Sequence, residues 1–301
     1  MSFALVTDSS SDLAPEVAEK LGIRILPLRV VAGEHYYLDW LEFGPREALE
    51  SLQRGESFQT FPPRHQAFED IYRELLERHD FVVSIHTSAQ LAGTLQRARR
   101  VVLEQRLGAR VTVIDSGMTS MGLAETVLAV REALLAGADG DAAQAVAQRV
   151  RRDAVCQFTV PTLEYLRQFG QLTRAQEVMG NLLGMRPVLG FGDGRVRLYR
   201  TVRQNEVLED MVRHLEDHFG DLPLSLAIVH SGSTAGQLPR MREAVEQSRL
   251  KVVRGRVQVV GAAVGTRLGP GGYGFSALPA NTVERVLRES PAVAKRRLGR
   301  H

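Results

Sequence analysis

The sequence predicts an α/β protein of two domains, the first built on a largely parallel sheet with helices on both faces. Apolar runs bounded by turn residues alternate with stretches that carry apolar side chains at three- and four-residue intervals, which is the signature of strands joined by crossover helices. The chain has 301 residues, enough for two cores. Its composition, 44% hydrophobic and 24% charged, is that of a globular protein rather than a disordered or collagen-like one.

Strands are expected at Phe3–Asp8, Ile23–Val31, Phe81–Ile85 and Val111–Ile114, and helices at Pro15–Leu21, Arg64–Arg78, Leu91–Arg106 and Thr119–Leu135. A change near Arg152–Phe158 marks the boundary, giving domains 1–157 and 158–301. In the second, short helices are expected at Pro161–Leu166 and Arg174–Leu183. Pro187–Gly194 and Arg195–Arg200 then read as a hairpin, because Gly-Asp-Gly supplies the positive φ angles of a tight turn. The helix Gln204–His218, the strand Leu224–Val229, the helix Gln237–Gln247 and the strand Val257–Val264 complete the pattern.

Charge and cysteine content remove several function classes. The 38 basic residues against 35 acidic leave a net charge of +3, and arginine supplies nearly all of the basic side. Its clusters lie on helix-like stretches and read as solvated faces, so no nucleic-acid partner is expected. The single cysteine, Cys156, excludes an internal disulfide, and with no signal peptide in view the reducing cytoplasm is the expected compartment. No run of about 18 apolar residues marks a membrane span, which leaves only peripheral membrane contact open.

Several motifs carry chemistry in other settings. Gly269-Pro-Gly-Gly-Tyr-Gly274 has the spacing G-x-G-x-x-G, but strand-like sequence follows it where a dinucleotide site needs a helix. His214 and His218 share a helix face without a third metal ligand in view, so no metal is expected. His230 reads as a buried, hydrogen-bonded histidine, and Cys156 as a small buried hydrophobe.

Thr7-Asp-Ser-Ser-Ser-Asp12 follows the first strand, where open α/β sheets bind ligands, and Ser11 or Asp12 is equally placed to cap the next helix. Ser88-Ala-Gln-Leu-Ala-Gly-Thr94 follows the Phe81 strand and places Gly93 and Thr94 at a helix start, where free backbone N–H groups favour an anion such as a carboxylate. Thr60, Asp115-Ser-Gly117 and Gly265-Thr-Arg-Leu-Gly-Pro-Gly271 join this set of hydroxyl- and glycine-rich segments.

Taken in order, Thr7-Asp-Ser-Ser10, Thr60-Phe-Pro-Pro63, Ser88 to Thr94, Asp115-Ser-Gly117, Leu163-Glu-Tyr-Leu166 and Gly265 to Gly271 make the chain resemble the DegV family of bacterial fatty-acid-binding proteins. That family carries T-D-S-S, T-S-Q-P, S-S-K-L-S-G-T, D-S-G, L-E-Y-L followed by G-G-R, and G-T-H-T-G-P-G. The resemblance implies a fatty acid in a tunnel that ends between the domains, with its carboxylate gripped by a threonine, a serine and a histidine. Position by position these fall on Thr60, Ala92 and Arg267, so only the threonine is kept. Ser88, Gly93 and Thr94 complete the implied ligand-binding set. Ala92 lacks the donor hydroxyl, whereas Arg267 replaces an often neutral imidazole with a permanent charge. Phe61 and Pro62 replace the polar pair after the threonine, and Phe169-Gly-Gln171 stands in place of G-G-R.

The resemblance further implies a non-enzymatic carrier without a cofactor of its own, whose partner is a dihydroxyacetone-kinase-like fatty acid kinase that brings ATP and magnesium. Arg200 and Arg203 follow the hairpin where the family has a basic pair, which reads equally as a surface that meets this partner and as a solvated hairpin. The alternative is a phosphoryl- or acyl-transfer enzyme using Asp8, Asp115 and the strand-end serines. It lacks G-x-x-x-x-G-K-[ST], G-x-S-x-G and a recognisable Ser-His-Asp order.

Overall fold

The computed structural model describes residues 2–172, 184–232 and 236–289. The elements begin with β1 (Phe3–Asp8), a 3₁₀ turn (Ser9–Ser11), α1 (Pro15–Lys20), β2 (Ile23–Leu26), β3 (Arg29–Ala32), β4 (His35–Leu38) and α2 (Pro45–Gln53). They continue with β5 (Gln59–Phe61), α3 (His65–Arg78), β6 (Phe81–His86), α4 (Thr94–Glu104), β7 (Val111–Asp115), α5 (Ser120–Leu135) and α6 (Gly140–Asp153). Next come β8 (Val155–Thr159), α7 (Glu164–Gln168), β9 (Met185–Gly192), β10 (Arg195–Arg203), α8 (Val207–Phe219) and β11 (Pro223–His230). The last are α9 (Gln237–Glu246), β12 (Lys251–Val259), α10 (Ala262–Leu268), β13 (Tyr273–Pro279) and α11 (Thr282–Glu289).

These elements form two compact units, one of Met1–Leu28, Phe61–Asp153 and the chain from Asn281, the other of Arg29–Thr60 and Ala154–Ala280. The chain passes from the first unit to the second at Asp153–Ala154. Two segments sit with the unit that is distant in sequence. Residues 29–60 contribute Val30, Ala48, Leu52 and Phe58 to a cluster with Ala262, and α11 packs on α5 and α6.

The first unit is the expected parallel sheet, in the order β2-β1-β6-β7, with every neighbouring pair parallel. Phe68, Ile71, Tyr72 and Leu75 of α3 and Ala98 and Val101 of α4 pack on Ala4, Val6, Val82 and Val111 of the sheet. Helix α5 is buried on nearly all sides, from Leu123 and Val127 to Val130 and Leu134, so it reads as apolar all round rather than amphipathic.

The second unit holds a six-stranded sheet, β10-β9-β8-β13-β11-β12, which is antiparallel apart from the β11–β12 pair. The β9–β10 hairpin turns at Asp193 (φ 53°) and Gly194 (φ 76°), the two positive φ values that the Gly-Asp-Gly sequence predicts. Helix α8 buries Val207, Leu208, Met211, Val212, Leu215 and Phe219, a three- and four-residue rhythm, against Leu224, Leu226 and Ile228 of β11 and Phe275 of β13. Full burial of one such leucine contributes about 1.5–3 kcal/mol. A smaller three-stranded sheet, β4-β3-β5, accompanies it.

Three sequence expectations need correction. The Ile23–Val31 run divides at Pro27 into β2 and β3, which belong to different sheets; proline has no N–H for a ladder, and the Leu28 N–H goes to Ser9 Oγ at 2.9 Å instead. The expected strand Val257–Val264 ends at Val259, and its last three residues open α10 after the extended Gly261. Neither Ser11 nor Asp12 caps α1, whose N-cap is Ala14 with no side-chain bond. The expected helix Arg174–Leu183 lies outside the described residues apart from its neighbour Gly184. No helix among the described residues is long and apolar enough to cross a membrane.

Candidate functional site

In the second unit Arg267 and Thr60 meet. Thr60 sits in the middle of the short strand β5, and Arg267 sits in the last turn of α10, where a cation interacts favourably with the helix dipole. Arg267 Nη2 donates to Thr60 Oγ1 at 2.6 Å, and Nη1 donates to the Ala263 carbonyl. The guanidinium carbon lies 4.6 Å from the centroid of the Phe169 ring, in cation–π geometry. Burial pulls this guanidinium down to about 10, opposed by the nearby Asp39 carboxylate, so it stays charged at neutral pH in a place that disfavours charge. Asp39 is itself buried and accepts the Ala263 N–H at 3.2 Å, which ties the start of α10 to the loop after β4.

The other sequence-chosen residues lie in the first unit, around the start of α4. Gly93 is the N-cap of α4 and has no side chain to satisfy the first N–H groups of the helix. Thr94 follows, fully buried, with an Oγ1 that has no hydrogen-bond partner. Ser88 is buried and its Oγ accepts the Gln90 N–H at 3.2 Å, while its carbonyl accepts the N–H groups of Leu91 and Ala92. The half-buried Ala92 thus occupies a turn that ends at an uncapped helix N-terminus, an arrangement that favours an anion.

The strand-end aspartates do structural work. Asp8, fully buried, accepts from Ser10 N at 3.1 Å, from the Ser10 hydroxyl, from Thr87 N at 3.1 Å and from His86 Nδ1 at 2.9 Å. His86 Nε2 lies 2.7 Å from Ser84 Oγ, which accepts in turn from Tyr72 OH at 2.8 Å. One donor direction, Tyr72 to Ser84 to His86 to Asp8, satisfies every member. Burial raises the Tyr72 phenol far above its ordinary value, keeping it a donor. No sequence spacing announced this relay, because its members come from β1, α3 and β6. Asp12 accepts from Ser120 Oγ at 2.6 Å, and Asp115 accepts the Gly117 N–H at 2.9 Å to close a turn.

The remaining candidates are absorbed by the fold. Tyr273–Pro279 is a strand, so the G-x-G-x-x-G spacing opens no helix. The rings of His214 and His218 lie 6.3 Å apart, and no group of three metal-binding side chains occurs among the described residues. His230 is half-buried, with Nδ1 accepting the Gly232 N–H at 3.1 Å. Cys156 is buried beside Ser276 Oγ at 3.1 Å. Arg200 is held by Asp210, with Nη2 at 2.6 Å, whereas Arg203 is exposed and 3.7 Å from Glu206.

Comparison with known proteins agrees with this architecture. Residues 2–280 match the family described as "Uncharacterised protein, DegV family". A DegV domain-containing protein of Deinococcus radiodurans is 34% identical over 285 residues, which cover 93% of this chain and 99% of the relative. A solved DegV family protein from Thermus thermophilus, described by its fatty acid binding, superposes with a TM-score of 0.86 at 34% identity, covering 93% of this chain and 100% of that one. A DegV lipid-binding protein from Thermotoga maritima gives 0.80 at 25% identity over 93% of this chain and 99% of its own. With one family spanning both units and the same fold in its solved members, this chain belongs to the DegV family.

Proposed function

We propose that this protein binds a long-chain fatty acid and holds its carboxylate on Arg267 and Thr60. The observation that carries the reading is the guanidinium of Arg267, drawn into a half-buried position against Phe169 and already donating to Thr60, where it remains charged against the cost of burial. A carboxylate is the planar acceptor that a guanidinium matches with two parallel bonds. Such charge-assisted bonds contribute about 1.5–3 kcal/mol against about 0.5–1.5 for a neutral donor, so Arg267 is the stronger of the two headgroup contacts in the second unit. On the first unit, the proposal includes Ser88, Gly93 and Thr94, whose uncapped N–H groups and unpartnered hydroxyl suit an acyl headgroup. The tail supplies most of the affinity at about 0.8 kcal/mol per buried methylene.

The protein acts as a carrier rather than an enzyme and presents the acid to a dihydroxyacetone-kinase-like fatty acid kinase. ATP and magnesium belong to that partner. The rival enzymatic reading finds a hydrogen-bonded Asp8, His86 and Ser84, but Ser84 Oγ is engaged by both Tyr72 and His86 in a closed relay, which leaves it no bond to make to a substrate. The experiment is organic extraction of freshly purified, denatured protein with mass spectrometry of what is released, followed by uptake of added palmitate or oleate. One fatty acid per chain supports the reading; an empty extract together with failed uptake sinks it. ATP turnover by the protein alone, abolished by Asp8→Asn or Ser84→Ala, would revive the enzyme.

A further inference from the structure

A polar cavity of about 320 Å³ lies within the second unit, and the fatty-acid reading makes no use of it. Arg186 at the start of β9, Arg240 and Gln237 of α9, Gln204, Tyr273 of β13 and the turn at Gly271 line it, and no acidic side chain does so among the described residues. Arg186 Nη1 is buried and has no hydrogen-bond partner. Buried guanidinium protons are rarely left unmade, because the desolvated charge is costly without an acceptor. Arg240 is exposed and brings a second cation.

The backbone adds to the same sign of potential. Helix α9 begins at Gln237 behind Gly236, which has no side chain to cap it, and its first turn lines the cavity through Gln237 and Arg240. The positive end of the α9 dipole lies at that first turn. Gly271, at φ 80°, turns the chain along the wall in a backbone conformation that favours glycine.

We propose that this cavity binds a phosphate group. Two guanidinium groups beside the start of α9 match a dianion with several acceptor oxygens better than a single carboxylate, and the volume leaves room for a group attached to the phosphate. Free phosphate and the phosphate of a small metabolite share this chemistry. Recognition here is independent of the Arg267 site, whose residues do not line the cavity.

The test is titration of the full-length protein at low ionic strength with inorganic phosphate and, separately, with ATP, read by isothermal calorimetry and by amide chemical shifts. Saturable binding is expected in the wild type, at least tenfold weaker in both Arg186→Met and Arg240→Gln. Tighter binding of ATP than of inorganic phosphate identifies a phosphorylated metabolite as the class of ligand, and the reverse order identifies free phosphate. Because Arg240 is exposed, Arg240→Gln keeps the test decisive if Arg186→Met does not fold. Absence of saturable binding by either probe, or equal affinity in wild type and Arg240→Gln, overturns the proposal.

Discussion

The guanidinium of Arg267 stacks 4.6 Å over the ring of Phe169, tying the last turn of α10 to the residue that ends α7. An arginine in place of histidine brings a charge that must be oriented, and the aromatic face offers that orientation without competing for the hydrogen-bond donors. A double-mutant cycle of Arg267→Ala and Phe169→Ala, read by fatty-acid displacement, is expected to be non-additive, with a coupling of about 0.5–2 kcal/mol. Arg267→Ala alone should weaken binding more than Thr60→Ala, since it removes the charge. Additive losses would separate Phe169 from the headgroup.

Replacement of Arg267 by histidine gives the site a pH dependence that the wild type lacks. The wild-type guanidinium, pulled down to about 10, is protonated throughout pH 6–9, so its contact with an ionised carboxylate stays constant there. An imidazole is charged only below about 6.5. Arg267→His is thus expected to bind fatty acid about as well as wild type at pH 5.5 and roughly tenfold more weakly at pH 8, as the charge-assisted bond becomes a neutral one. A flat profile in both proteins would remove Arg267 from the carboxylate.

Ala92 offers a gain of function. Ala92→Ser places a hydroxyl in the half-buried turn before the uncapped start of α4. One added neutral donor is worth about 0.5–1.5 kcal/mol, so displacement should show a two- to tenfold increase in affinity. An unchanged affinity would remove the turn before α4 from the headgroup.

The sequence carried the local part of this architecture and little of the long-range part. The strands of the parallel sheet and helix α8 were legible because their apolar rhythm is written within each segment. Thr60 and Arg267 stand 207 residues apart, and their hydrogen bond depends on the 29–60 segment packing with the later unit, which no periodicity encodes. Resemblance named both positions, but only the fold brings them together. The Asp8–His86 bond spans 78 residues, and its function as an internal brace was hidden because strand-end Asp and Ser residues have the same spelling in ligand sites and in caps.

Acid should weaken the second unit through two histidines. Burial, with Arg200 next, holds His214 below its ordinary 6.5, and burial, with Arg242 next, does the same for His230. Both bind protons less readily in the folded than in the unfolded state. Their effect on stability is constant above pH 6.5, turns unfavourable as pH falls through 6.5 towards the lower folded values, and levels off below them. Urea midpoints measured from pH 8 to pH 5 should fall in the wild type and fall less in His214→Asn/His230→Gln. Parallel curves for the two proteins would place the acid sensitivity elsewhere.

The buried relay of the first unit supplies the last prediction. Asp8 accepts four hydrogen bonds within a wholly buried cluster, so Asp8→Ala leaves the donors of Ser10, His86 and Thr87 without an acceptor. Loss of one partner from such a buried charged cluster costs about 3–5 kcal/mol. Ser84→Ala removes a hydroxyl that links Tyr72 to His86 and should cost less, about 1–3 kcal/mol, by leaving two buried polar atoms unpaired. Chemical denaturation measures both losses. The same Ser84→Ala protein, once folded, should bind fatty acid as the wild type does, because the relay braces β1 against β6 and does not touch Arg267 or Thr60. A large loss of affinity without loss of stability would assign the relay to the ligand rather than to the fold.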